Sequence, residues 1–390
     1  MNAAGSSTRR LVIAPNAFKE TLTAAEAAEA IRAGAARADS ALEFELVPIA
    51  DGGDGTLDAL TATRGGERRS SRVTGPLGDP VDAEWALLGG GRVAVIEMAR
   101  AAGLALTPRD QRDPEWTTTF GVGELIIAAR EAGARRIIVG VGGSATCDGG
   151  CGCAQALGVR FVLTGGETLD ASTRPVTGGD LELIEIIEAP RHANALTIEV
   201  ACDVRNPLFG PDGAAFVFGP QKGASPDQIV RLDEGLQWLA ELVGDAADPD
   251  EPGAGAAGGL GFGLSAWFNA ALRPGIDLVL DAVRFDERAE GATLILTGEG
   301  RLDGQSVEGK AIGGVAWRGL ALGVPTVALV GSTGPDAKRS LRRHGGPLEA
   351  FYSVTDTLGW SESRAMASPA EALEALAELV VREKFDAAQS

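Results

Sequence analysis

The sequence predicts an α/β protein of two domains, one inserted into the other. Three observations predict it. The 390 residues suffice for two domains at roughly 100–200 residues each. At both chain ends, apolar strand-like runs alternate with helical stretches, the pattern of a parallel sheet. Between them, from about residue 67, short strands are split by Gly-Pro and Gly-Gly turns, which read as antiparallel hairpins.

The elements follow in order. "RRLVIAP" is a buried strand and "NAFKETL" the loop after it. "TAAEAAEAIRAGAARA" opens a helix, with Thr23 and Glu26 at capping-box spacing. "FELVPIA" is the second strand and runs directly into "DGGDGT", with a helical segment from Leu57. In the middle, "TTFGVGELIIAAREAGA" is a helix and "RRIIVGV" a strand feeding "GVGGSATCDGGCGC", with a helix expected near Gly152. "LTIEVACDV" is a strand, and "SPDQIVRLDEGLQWLAELVG" a helix that Ser225 can cap. "GDAADPDEPGAGAAGGLGFG" reads as an acidic, Pro- and Gly-rich connector, a hinge or a wall. The alternation then returns with "ATLILTG", "GKAIGGVAWRGLAL" and "PTVALVG". Residues 1–70 and 276–390 therefore form a parallel, Rossmann- or flavodoxin-like domain, and residues 71–275 an inserted mixed α/β domain.

Composition limits the function. The formal charge is −19, so the chain lacks the basic field that nucleic acid or an anionic membrane surface requires. No segment reaches the ~18 apolar residues of a membrane span. The N-terminal run "LVIA" stops at Pro15, short of the about 7–15 residues of a signal-peptide core. A cytoplasmic protein is the expectation.

Three of the four cysteines fall within seven residues, at Cys147, Cys151 and Cys153, with Cys202 apart. Cys-x3-Cys-x-Cys is not the Cys-x2-Cys spacing of zinc sites, and the two histidines, His192 and His344, sit in no motif. Small apolar packing is the reading for these thiols. The glycines around them carry more. They allow close backbone approach, Ser144 and Thr146 offer hydroxyls, Asp148 a carboxylate, and helix starts attract anions. A phosphate or a hydroxylated ligand suits that set, and so does a tight structural turn.

Other strand ends carry similar chemistry: Lys19 in "PNAFK", Asp51 and Asp54 in "DGGDGT", Asp203 and Asn206 in "CDVRNP", and Glu299, Asp303 and Gln305 in "TGEGRLDGQS". Ligands of α/β sheets bind at the carboxyl ends of strands, so several such loops point to one assembled site. Carboxylates with few histidines suit Mg²⁺, and lysine with backbone N–H groups suits phosphate. "GQSVEGKA" fits the Walker spacing, but Ala311 replaces the Mg²⁺-binding Ser or Thr, which leaves Lys310 as a phosphate ligand at a helix start. "GAGAAG" fits a dinucleotide fingerprint but follows a linker and no strand. No G-x-S-x-G is present for a serine hydrolase.

"APNAFKETLTAAEAAEAI", "PIADGGDGTLDAL", "VGGSATCDGGCGCAQALG", "ACDVRNPLFGPDGAAFVFGPQKGA" and "LTGEGRLDGQSVEGKAIGGVA" resemble, in order and over about residues 10–380, the glycerate kinase type-1 family. The resemblance implies ATP-dependent phosphorylation of D-glycerate, 2-phosphoglycerate as product, Mg²⁺ as helper, and a site in the cleft of a two-domain α/β fold. D-glycerate is then the small-molecule partner, and a homodimer stays open. The family's first block usually reads Pro-Asp-Ser-Phe-Lys-Gly where this chain has Asn16, Ala17 and Glu20, and it usually has Asn where this chain has Cys147.

Under that resemblance, Lys19, Asp51, Asp203 and Asp303 are the catalytic candidates, with Asp203 favoured as the base. Lys19 and Lys310 would face phosphate or the glycerate carboxylate. Backbone N–H groups around Gly142–Gly150 would cradle phosphate. Gly142, Gly143, Ser144, Thr146, Asp148, Glu299, Gln305 and Lys310 are the nucleotide-binding candidates. One or two carboxylates among Asp51, Asp203, Glu299 and Asp303 would hold Mg²⁺. Asp54 divides between capping and catalysis. The alternatives are a kinase of another small hydroxy or sugar acid, a non-catalytic nucleotide-binding relative, and an oxidoreductase built on "GAGAAG".

Overall fold

The computed structural model describes residues 9–53, 55–189, 196–302, 310–334 and 346–387. The chain divides into two compact units. The first comprises Met1–Asp51, Asp58–Arg64 and Ile276–Ser390, the second Gly52–Leu57 and Gly65–Gly275.

The first unit is built on five parallel strands in the order Ala350–Ser353, Thr326–Thr333, Leu294–Leu302, Arg10–Pro15, Glu43–Leu46. Leu11 to Ala14 are wholly buried, as expected where helices cover both faces of a parallel sheet. Helices Ala24–Ala38 and Pro369–Ala387 share one core with Leu11, Ile13, Leu296 and Leu329. They approach closely at Gly34, where an added Cβ would lie 2.1 Å from the Glu374 carbonyl oxygen. Ile312 of helix Ala311–Leu322 packs with Ala328 and Val330. The Thr23 capping box forms, with the Glu26 N–H donating to Thr23 Oγ1 and the Thr23 N–H to the Glu26 carboxylate.

Strand order decides where this unit can bind. From Arg10–Pro15 the chain steps to the neighbour on one side, Glu43–Leu46. It later returns on the other side with Leu294–Leu302 and continues outward. This is the flavodoxin-like order, whose topological switch point lies between the first strand and the third, with the ligand crevice at their carboxyl ends.

Two strand ends differ from the sequence reading. "FELVPIA" is regular strand only to Leu46, although the Val47 and Ile49 N–H groups still donate to Ile13 and Pro15; Pro48 between them faces the open edge of the sheet, where its missing N–H costs no ladder bond. "ATLILTG" runs on to Leu302, because Arg301 and Leu302 keep pairing with Ser332 and Thr333. Glu299 is therefore a strand residue.

The second unit has a six-stranded sheet in the order Ala271–Arg273, Thr197–Ala201, Arg136–Gly140, Val93–Glu97, Pro80–Leu88, Gly66–Thr74. The first four are parallel and the last two add antiparallel. A three-stranded antiparallel sheet, Thr168–Leu169, Arg160–Leu163 and Ile184–Glu188, completes it. Ser225 caps helix Pro226–Val243 through a capping box with Gln228.

The acidic, Gly-rich segment is not a hinge. Ala254, Leu260 and Phe262 are core residues, and helix Leu260–Phe268 starts within it. Its glycines serve close packing: an added Cβ on Gly258 would lie 2.0 Å from the Thr146 carbonyl oxygen. Among the described residues no helix is long and apolar enough to cross a membrane.

Candidate active site

In the first unit, a cavity of about 560 Å³ opens at the switch point. Four predicted site residues line it: Lys19, Asp51, Glu299 and Lys310. Lys19 sits on the loop that leaves strand Arg10–Pro15. That loop is folded by reciprocal backbone bonds between Phe18 and Leu22, both 2.9 Å, and anchored by the buried Phe18 ring. Its tip, Lys19 and Glu20, stays in solvent. Asn16 ties the loop down: its N–H donates to Gly298 O at 2.8 Å, and its Oδ1 accepts from the Ala17 N–H at 2.8 Å. Asn16 therefore has a loop-fixing job here. Lys310 occupies the N-cap of helix Ala311–Leu322.

Among the described residues, the cavity wall carries three cations, Lys19, Arg301 and Lys310, against four carboxylates, Glu20, Asp51, Glu299 and Glu362. A phosphate-bearing ligand entering this wall brings more negative charge, and a divalent cation would offset it. No group of three His, Cys, Asp or Glu side chains that could hold a metal forms among the described residues. The donor set still fits Mg²⁺, which binds through one or two carboxylates and completes its shell with water and phosphate oxygens.

Glu20 holds φ at +65°, in the left-handed region, at the position where the resembled family has glycine. A non-glycine residue there costs about 1–2 kcal/mol, and glycine returns part of that as chain entropy. Glu20→Gly is expected to stabilise the protein by about 0.5–1 kcal/mol. An unchanged or lower melting temperature would contradict this.

In the second unit, a cavity of about 300 Å³ is lined by Gly142, Gly143, Ser144, Asp203 and Lys222, among others. The glycine loop follows strand Arg136–Gly140, and Asp203 follows strand Thr197–Ala201. Asp203 is exposed, and its Oδ1 accepts from the Gly275 N–H at 3.2 Å. Gly143 takes φ +71°. No acceptor among the described residues takes the N–H of Gly142, Gly143 or Ser144.

The rest of that loop turns inward. Thr146 and Asp148 are fully buried, and neither lines the cavity. Thr146 donates its hydroxyl proton to Ala257 O. Asp148 Oδ2 accepts from the Thr119 N–H (2.7 Å), the Thr119 hydroxyl (2.8 Å) and the Gly152 N–H (3.2 Å), and Oδ1 from the Gly150 N–H (3.1 Å). Burial raises its pKa, against the pull of these bonds. The helix after the loop, Cys151–Ala156, has only six residues, and its first donors are spent. Cys151 N–H goes to Asp148 O, Gly152 N–H to the Asp148 carboxylate and Cys153 N–H to the Thr119 hydroxyl. So the loop's available donors are at its start, Gly142 to Ser144, not at the helix.

All four cysteines are buried. Burial pushes the Cys147 and Cys202 thiols up to about 11, and Cys151 and Cys153 upward as well. Cys147, Cys151 and Cys153 pack as small apolar groups, and the Cys202 thiol donates to Val204 O at 3.1 Å. Asp54, Asp303, Gln305, His192 and His344 lie outside the described residues.

Two residues escaped the sequence reading. Glu97, buried in the second unit, accepts from the Gly55 and Leu57 N–H groups at 3.0 Å each, and from Arg100 Nε at 3.0 Å. It caps the helix after "DGGDGT" from 40 residues away. Lys222 is 2% exposed and donates a hydrogen bond to Thr146 O at 2.8 Å. Its signal was "GPQKGA", a lysine between glycines, but only the fold buries it.

A doubly wound sheet with lysines and carboxylates at its switch point, and a second unit with a donor-rich glycine loop, define an α/β protein equipped for phosphate-bearing ligands. The chain belongs to the glycerate kinase family, whose model matches residues 11–384. It is 44% identical over 347 residues to a glycerate kinase of Halalkalibacterium halodurans, covering 88% of this chain and 90% of that one. It is 43% identical over 357 residues to glycerate 2-kinase of Escherichia coli K12, covering 90% and 91%. A crystal structure of a candidate glycerate kinase 2 from Salmonella typhimurium LT2 superposes with a TM-score of 0.86 at 40% identity, over 98% of this chain and all of that one.

Proposed function

We propose that this chain is a kinase that transfers the γ-phosphoryl group of ATP to O2 of D-glycerate, giving 2-phosphoglycerate. The observation that carries the reading is the gathering of Lys19, Asp51, Glu299 and Lys310 on one cavity at the switch point, in a chain of the glycerate kinase family. The O2 position is favoured by the relative named glycerate 2-kinase.

Phosphoryl transfer asks for positioning and charge neutralisation. Lys19 and Lys310 supply positive charge to the phosphoryl group or the glycerate carboxylate, in a chain whose net charge is −19. Asp51 and Glu299 would hold Mg²⁺, which when bound neutralises phosphate charge. The N–H groups of Gly142, Gly143 and Ser144 are donors for phosphate oxygens. Asp203 accepts the proton of the attacking hydroxyl. It is an exposed carboxylate whose Oδ1 accepts from the Gly275 N–H.

The test is ADP release with ATP, Mg²⁺ and D-glycerate, with the product analysed by NMR. Phosphorus on C2 is expected. Phosphorus on C3 would overturn the regiochemistry. Bound nucleotide without turnover would move the reading to another hydroxy acid. Cys147 does not favour that second reading, because its buried thiol lines neither cavity.

A further inference from the structure

We propose that Lys222 is an anion-binding residue, and that the second unit's cavity is an oxyanion subsite formed by its ammonium with the N–H groups of Gly142, Gly143 and Ser144. Lysine is among the side chains least often fully buried without a counter-charge, because removing an ammonium from water is costly. Lys222 is 2% exposed, yet it forms no ion pair within 4.0 Å among the described residues. Its surroundings are one carbonyl, Thr146 O at 2.8 Å, and the Phe218 ring at 6.0 Å. Burial lowers the Lys222 pKa, and the buried Asp148 carboxylate nearby partly offsets this without forming an ion pair with it. Cys147 carries a protonated thiol at neutral pH, and the Asp148 carboxylate is engaged by four donors. One of three ammonium protons has an acceptor, and no described residue takes the other two.

Independent of the lysine, three successive N–H groups on the same cavity also find no acceptor among the described residues. Gly143, at φ +71°, turns the backbone there as anion-holding nests do. Ser144 is buried, Gly142 half-buried and Gly143 exposed, so these three line the open cavity, where an entering oxyanion can take their N–H groups in place of water. A single oxyanion, phosphoryl or carboxylate, satisfies the lysine and the loop together.

Its source is ATP phosphate or the glycerate carboxylate, an assignment that rests on the kinase reading; oxyanion binding itself does not. The experiment compares wild type with Lys222→Met and Lys222→Gln. Calorimetry measures binding of a non-hydrolysable ATP analogue, of D-glycerate and of inorganic phosphate. Methionine keeps the volume, and glutamine keeps a donor for Thr146 O. Both variants are expected to melt near wild type. Affinity for at least one of the three probes is expected to fall ten- to a hundredfold. Loss confined to the ATP analogue identifies nucleotide phosphate, and loss confined to glycerate identifies the carboxylate. Loss for phosphate alone, in a protein that does not phosphorylate glycerate, keeps the subsite while the kinase reading fails. Affinities within twofold of wild type for all three overturn the proposal. If neither variant folds, amide shifts of Gly142, Gly143 and Ser144 in the wild-type protein decide it: saturation with the three probes must move them, and unmoved signals overturn it.

Discussion

Asp203→Asn is expected to lower kcat by about 10²–10⁴ and to leave ATP binding in place. Asparagine has the same shape and keeps the Oδ1 that accepts from the Gly275 N–H, so the local backbone should hold. The proton-accepting charge is lost. Steady-state kinetics with a melting curve as control checks this. A kcat near wild type would remove Asp203 as the base. A matching fall in ATP affinity would make it a ligand-positioning residue.

Asp148→Ala should act on folding and not on chemistry. Four donors converge on this carboxylate, from Thr119 twice, Gly150 and Gly152, in a fully buried site. Removing the acceptor leaves buried donors unsatisfied at about 1–3 kcal/mol each. Partial relaxation of the glycine loop brings the expected loss to about 3–5 kcal/mol. The measurement is thermal or urea unfolding followed by a probe in the second unit, such as Trp238 fluorescence. A variant that melts like wild type but fails to bind nucleotide would return Asp148 to ligand binding.

Much of the architecture was legible because its signals are local. Parallel strands buried on both faces leave unbroken apolar runs such as "LVIA", and the caps at Thr23 and Ser225 are spelled out within four residues. The residues of the first cavity were readable for a similar reason: Lys19 and Asp51 lie in loops that follow strands, Glu299 in the second half of a strand and Lys310 at a helix start, and the switch point gathers such positions. The inner half of the glycine loop was not. "GGSATCDGG" states which donors and acceptors exist, but not that Asp148 spends its oxygens on Thr119, 29 residues upstream. Long-range partners also hid Glu97 and the burial of Lys222. The connector misled because a Gly-rich, acidic composition is shared by hinges and by backbone packed against backbone. Gly258 against Thr146 belongs to the second kind.

The buried thiols have a practical consequence. At neutral pH almost none of the four is thiolate, the form that reacts with alkylating and oxidising reagents. The native chain is therefore a nearly silent background for labelling. A single cysteine introduced at the solvent-facing tip beside Lys19 would take a fluorophore or spin label alone, without first stripping the protein of its own sulfur.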